Sequence, residues 1–314
     1  MLRRCSSLTI DFGKYGVDPT LTLGTYNFNF WFDGHVGYIQ LSAEPLVIAE
    51  VHTDGTVNIW GESCDKDYIP LLINALGLEE NLNEFFSIAS KDPLLKGFSK
   101  CCHGWRLRAS SLWWSLVVGI CQQNASFRQG WGMLFKLIKN FRKYVRIGNR
   151  LIPLLPLPKD VIRHEDLLRS SGLGYRSETV VNVAKAFIRG DLSDDLPMRL
   201  SLKELEYVLT NVKGVGHYTA RLAIALSSRR YELPPIDRWL RALASVAYGI
   251  SEREVEGYWV SRWGRWSALA AIATTIALDA EPLRKALRRL KERLITPMVT
   301  DKPSPTNMWR FKEL

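Results

Sequence analysis

From Thr9 to about Trp60, apolar and polar positions alternate with period two, the pattern of strands that bury one face. TYNFNFWF sets Tyr26, Phe28 and Phe30 on one side, and Asp33-Gly34 then marks a hairpin. VGYIQLSA and LVIAEVH follow, and Asp54-Gly55 turns into TVNIWG. Because the aromatics keep the period of two, they read as the core of a small antiparallel sheet. From Tyr68 the spacing lengthens to three and four, and YIPLLINALG and ENLNEFFSIASKDPLL read as helices. Ser110 or Ser111 caps a buried helix, SLWWSLVVGIC, whose apolar run stops at Gln122, Gln123 and Asn124, and a second helix then runs through FRKYV. The turn SGLGYRSETV, with Gly172 and Gly174, leads into another helix. REVEGYWVSRWGRWSALAAIATTIALD predicts a long apolar one preceded by WGRW. The expected fold is α+β: an antiparallel β domain over residues 1–75, a helical region over 76–295, and a loosely ordered tail over 296–314 with three prolines.

The chain is organised around LTNVKGVGHYTARLAIALSSRRYELPPIDRWLRALASVAY, residues 209–248. Leu202, Leu205, Val208, Leu209 and Val212 form the stripe of one helix, and Leu222, Ala223 and Leu226 that of another running from about His217 to Ser228. Between them Gly214 and Gly216 flank Val215. Glycines there serve either an ordinary helix end or a backbone clamp, in which main-chain N–H groups and the positive end of the second helix face an anion. Pro234 and Pro235 force an extended approach to Asp237, which opens an amphipathic helix. Asp237 is an ordinary N-cap or something more; no Glu or Gln stands at Leu240 to complete a capping box.

Helix, VKGVG, helix, then a lone aspartate about twenty residues on resembles the helix-hairpin-helix DNA glycosylase superfamily. The likeness spans roughly Leu21 to Leu294, specific at the hairpin and Asp237 and weak over the sheet. It implies two helical subdomains with a cleft between them, Asp237 as the catalytic carboxylate, and DNA gripped at Lys213, Gly214, Val215, Gly216 and His217. It also implies that the polar turn at Gln123 and Asn124 enters the minor groove and fills the gap left by an extruded nucleotide, offsetting part of the roughly few kcal/mol of unstacking. Tyr175 and Arg176, in a stretch similar to the LGLGYRARYV-like segment of the 8-oxoguanine branch, are expected to serve packing and scaffold. His217 reads as a backbone contact or a solvated side chain.

Composition agrees with a nucleic-acid partner. The 314 residues, 46% hydrophobic and 24% charged, are enough for a large core, and the net charge is +10. The excess is uneven: from Arg128 to Arg150 seven Lys/Arg face no acid, and from Arg284 to Arg293 six stand against one, faces that would bind a polyanion by counterion release. The five cysteines (Cys5, Cys64, Cys101, Cys102, Cys121) show no zinc spacing, and a disulfide scaffold is not expected at this size. The iron–sulfur glycosylases of the endonuclease III and MutY type carry four cysteines after the catalytic domain, whereas none follows Cys121 here, which excludes a cluster on ligand count. No metal site is expected, and no cofactor beyond a monovalent cation that the resemblance would put at the hairpin. Without a signal peptide or an apolar run near twenty residues, an intracellular monomer is expected, in the cytoplasm or nucleoid if prokaryotic, bound to double-stranded DNA and not to a membrane.

The implied chemistry is cleavage of a C1′–N bond. A fixed carboxylate stabilises the oxocarbenium-like sugar and orients water, the role of Asp237. Bifunctional relatives attack C1′ with a lysine two residues after the second hairpin glycine, and that position is Tyr218 here. Lys213 stands where the family usually has proline, as a phosphate-contacting or surface lysine. AlkA-like enzymes have an aromatic at the Tyr218 position lining the base pocket, where electron-poor alkylated purines stack well. The reading is a monofunctional glycosylase for alkylated purines such as 3-methyladenine. The alternatives are an 8-oxoguanine glycosylase, with or without lyase action, and a non-catalytic DNA-binding module.

Overall fold

The computed structural model describes residues 2–26 and 31–313. A four-stranded antiparallel sheet opens the chain, built from β1 (Arg3–Thr9), β2 (Val36–Ala43), β3 (Leu46–His52) and β4 (Thr56–Gly61) in the order β1-β4-β3-β2. The pairs Val47–Gly61 and Val51–Val57 fix its register, and Val47, Ala49, Val51, Val57 and Ile59 share one buried face against Leu72 and Leu76. β1 was not anticipated, nor was the short helix α1 (Pro19–Gly24), which Asp18 caps by accepting the Leu21 amide at 2.8 Å. Of the run read as a strand, Phe28 and Phe30 lie outside the described residues. Tyr26 follows the end of α1 with φ 30 and faces the helical core, not the sheet. Cys5 and Cys64 form a disulfide across the end of the sheet and Cys101 pairs with Cys102, so four of the five cysteines are paired where no disulfide scaffold was expected.

Helices then take over: α2 (Ile69–Leu76), α3 (Asn83–Ala89), α4 (Lys96–Cys101), α5 (Leu112–Gln122) and α6 (Phe127–Phe141). α5 is buried on all sides, Leu112 through Cys121, which is why its sequence is apolar with no polar stripe; each fully buried Leu, Val or Ile there contributes about 1.5–3 kcal/mol. Ser111 is its cap, and Ser126 with Gln129 forms a capping box that starts α6. A small hairpin, β5 (Tyr144–Ile147) and β6 (Arg150–Pro153), interrupts the region read as all helix. Next come α7 (Pro158–Arg163), α8 (Glu165–Ser170), α9 (Arg176–Arg189), α10 (Leu196–Arg199), α11 (Leu202–Thr210), α12 (His217–Ser228) and α13 (Arg238–Tyr248). The apolar helix expected after WGRW is α15 (Ser267–Ala277); α14 (Val255–Trp263) precedes it, and the two part at Gly264, whose φ of 50° a helix cannot continue through. α16 (Leu283–Lys291) follows.

The tail departs from expectation at its end. Met308 and Phe311 are fully buried, and the Pro305 carbonyl accepts the Tyr26 amide at 2.6 Å. Met308 and Phe311 turn inward while Met298 and Val299 stay exposed, so composition alone misjudged the end of the segment. Trp105, Trp113, Trp114 and Trp131 are all core. Among the described residues no helix is long and apolar enough to cross a membrane.

Candidate active site and nucleic-acid interface

The hairpin sits where two close approaches put it. Gly214 has φ 94, and a Cβ there would come 2.2 Å from the Thr179 hydroxyl on α9. Gly119 on α5 lets α12 approach so near that a Cβ would meet the Thr219 carbonyl at 3.2 Å. Gln123, at the end of α5, ties the two together, its Nε2 donating to the Gly214 carbonyl at 3.0 Å and to Thr219 Oγ1 at 2.8 Å. No side chain caps α12 at Gly216, so its first-turn amides lie open at an exposed surface formed by Gly214, Gly216 and His217.

Two residues assigned to the DNA contact are otherwise engaged. The Val215 amide donates to the Val212 carbonyl at 3.0 Å and its side chain is buried, so Val215 anchors the turn and offers no amide to a phosphate. The Gln123 side chain is spent on the hairpin and its carbonyl accepts from Arg176 Nε at 3.0 Å, so Gln123 is a brace and not a wedge. Lys213 is exposed and pairs with Glu178 at 2.7 Å. His217 is exposed too, its Nδ1 3.0 Å from Glu206, which also takes Arg221 at 2.6 Å. Burial opposes ionisation of Glu206, but Arg221 and then His217 hold its carboxyl below the usual range.

Asn124 stands at the surface of the same turn. It is exposed, sits at φ 45, and its Nδ2 lies 3.3 Å from the Tyr175 hydroxyl. Tyr175 is itself 60% exposed with the Arg176 guanidinium over its ring at 4.6 Å. Arg176 is scaffold as expected, but Tyr175 is not packing. Nothing in the spacing of GLGYR separates the two, because exposure here depends on where α5 ends.

Asp237 caps α13, accepting the Leu240 amide at 2.7 Å, and so plays the ordinary N-cap part as well. Its carboxyl is solvent-accessible yet hemmed in by protein, and burial raises its pKa above the usual carboxylate value against the pull of the Leu240 amide. Tyr218, in the first turn of α12, and Tyr26 from the N-terminal segment stand beside it. Burial, then the Asp237 charge, pushes the Tyr26 hydroxyl far up, and burial, then Tyr26 and Asp237, does the same to Tyr218. Tyr26 packs edge-on against Trp131 at 5.7 Å and beside Phe127 at 6.1 Å, and Phe127 meets Phe311 of the tail at 5.9 Å. Sequence reasoning missed this aromatic backing, which draws on three distant segments. No lysine amine stands at the Tyr218 position, and the described residues hold no cluster of His, Cys, Asp or Glu fit for a metal. A monovalent cation at the hairpin would rest on main-chain carbonyls, one of which, that of Gly214, already accepts from Gln123.

No family model matches the chain. It is 23% identical over 163 residues to the DNA-3-methyladenine glycosylase of Bacillus subtilis (strain 168), a stretch covering 51% of this chain and 54% of that relative. The chain thus spans about half the length of the curated relative it matches. Among solved structures, the 3-methyladenine DNA-glycosylase from Archaeoglobus fulgidus superposes with a TM-score of 0.65 at 19% identity, covering 87% of this chain and 96% of that one. The Clostridium acetobutylicum 8-oxoguanine glycosylase/lyase, in complex with double-stranded DNA containing cytosine opposite 8-oxoG, gives 0.61 at 17% identity over 82% of this chain and 85% of the other. An open hairpin amide cluster on α12, an aspartate heading α13 and a superposition over 87% of the chain give the protein the fold of these solved glycosylases.

Proposed function

We propose that the chain is a monofunctional DNA glycosylase that extrudes a damaged base from duplex DNA and hydrolyses its N-glycosidic bond, with alkylated purines such as 3-methyladenine as substrates. The observation that carries this reading is Asp237, an accessible carboxylate in a partly desolvated position flanked by Tyr218 and Tyr26. In the mechanism, the open amides at Gly216 and the start of α12 hold a phosphate while Asn124, with Tyr175 beside it, fills the vacated stack. The extruded nucleotide then brings C1′ to Asp237. Ionised Asp237 stabilises the positive charge that develops on the sugar as the base leaves and orients the water that attacks, and restricted solvation strengthens the attraction. Tyr218 stays protonated and offers an aromatic face to an electron-poor base, with Tyr26, also protonated, packed in the core behind it. Such a protein acts wherever the chromosome is kept.

Hydrolysis without strand nicking follows from Tyr218 replacing the amine and from Lys213 lying outside the site with Glu178. A panel of duplexes with single lesions, scored with and without alkali, tests this. Breaks at 3-methyladenine or related bases only after alkali are expected; breaks without alkali, or a borohydride-trapped adduct lost in Lys213→Gln, would overturn it. A second reading, 8-oxoguanine as substrate, is favoured by the N-terminal sheet and the SGLGYR turn, and the same panel separates the two.

A further inference from the structure

His217 begins α12 beside the uncapped Gly216, and its side chain is 73% exposed. Imidazole is the side chain that ordinarily changes charge between about pH 5 and 8, and here a neighbour decides which nitrogen carries the proton. Nδ1 lies 3.0 Å from the Glu206 carboxyl on α11. Burial opposes ionisation of Glu206, but Arg221 and then His217 hold its carboxyl below the usual range, so it is charged at neutral pH. A carboxylate only accepts, so Nδ1 must donate, and a neutral ring then presents a bare lone pair at Nε2. Among the described residues no hydrogen bond engages Nε2. A lone pair repels a phosphate oxygen, whereas the N–H of an imidazolium donates to it in a charge-assisted bond.

The charges that face His217 come from several elements and are otherwise balanced. Arg221 of α12 meets Glu206 at 2.6 Å and Glu256 of α14 at 2.7 Å, and Arg241 of α13 lies 3.6 Å from Glu256. Two carboxylates therefore answer two guanidiniums. Lys213 of the hairpin and Glu178 of α9 pair with each other. A proton on His217 is then a net positive charge gained at the start of α12, where an anion stabilises it.

We propose that His217 is a proton-linked phosphate contact: it engages the sugar–phosphate chain only as imidazolium, so that binding duplex DNA takes up a proton near neutral pH. Glu206 is its positioning residue, holding Nδ1–H and leaving Nε2 for the phosphate. This deepens, and rests on, the proposed glycosylase function. The test is calorimetric titration of the full chain with a duplex holding an abasic-site analogue, in Tris and in HEPES at equal ionic strength, where the difference in heat reads the protons taken up. Asp237→Asn is the background, so that the carboxylate heading α13 adds no proton of its own. Uptake of about half a proton at about pH 7 is expected, with affinity falling roughly three- to tenfold from about pH 6 to 8. His217→Gln should abolish the uptake and flatten the profile, and His217→Arg, charged throughout, should hold the low-pH affinity at high pH. Glu206→Gln still accepts Nδ1–H but lacks the charge, and should move the fall in affinity to lower pH. Binding without proton uptake, or the same uptake in His217→Gln, would overturn this inference and leave the DNA reading standing; no binding of any duplex would overturn both.

Discussion

In the proposed mechanism Asp237 does two jobs that pull in opposite directions. As a cap it needs only an oxygen for the Leu240 amide, whereas as a catalytic carboxylate it must carry charge in a partly desolvated position. A carboxyl whose folded pKa is raised binds its proton more tightly in the folded state. Ionising it therefore costs stability, and the cost grows as pH rises from the ordinary value through the raised one. Asn keeps the cap without the charge, so Asp237→Asn should melt at the same temperature as wild type or higher at pH 7, by calorimetry. The acid limb of single-turnover base release in the wild type should lie above the ordinary aspartate pKa. The N-cap at Asp237 was legible because its proline approach and the helix behind it are local. Tyr26 was not: it belongs to this site only because a backbone turn at φ 30 carries it off the sheet toward Trp131 and the tail. Gln123 and Val215 were misassigned for the same reason, since each is defined by a partner that spacing does not reveal.

At the scale of elements, the proposed DNA face depends on how closely α5, α9 and α12 pack. Gly214→Ala meets both a left-handed backbone and the Thr179 hydroxyl, and should cost about 1–3 kcal/mol in denaturant unfolding. Gly119→Val presses on Thr219 and should cost a similar ~1–3 kcal/mol by overpacking. It should also weaken abasic-duplex binding, because α12 carries the hairpin. An effect on stability with duplex affinity untouched would show that the hairpin is positioned by something else. Helices with strong stripes, α11 to α13, were plain in the sequence. The β5–β6 hairpin was not, since two four-residue strands following a helix of apolar and basic residues leave no period to detect.

Across the whole molecule, charge and burial divide the basic residues into two sets. Arg128 is exposed one turn from Asn124, and Arg128→Ala should lower the slope of log affinity against log salt by about one phosphate contact while leaving stability within about 0.5 kcal/mol. Arg289 lies in an equally basic stretch but is buried against Asp279 at 2.6 Å and the Thr296 carbonyl. Its alanine variant should instead destabilise by about 3–5 kcal/mol and leave the salt slope alone. Net charge thus points to a polyanion without saying which arginines would meet it. The tail is a further whole-chain effect: Phe311→Ala should cost about 3–5 kcal/mol and, through Phe127 and Tyr26, loosen the aromatic wall behind Asp237.

The most direct test is single-turnover release of 3-methyladenine from a duplex by wild type and Asp237→Asn, alongside their affinity for abasic-site DNA. Asp237→Asn should lose about 100- to 1,000-fold in rate with affinity unchanged. Equal rates in the two proteins, or no base release from any lesion by the wild type, would contradict it.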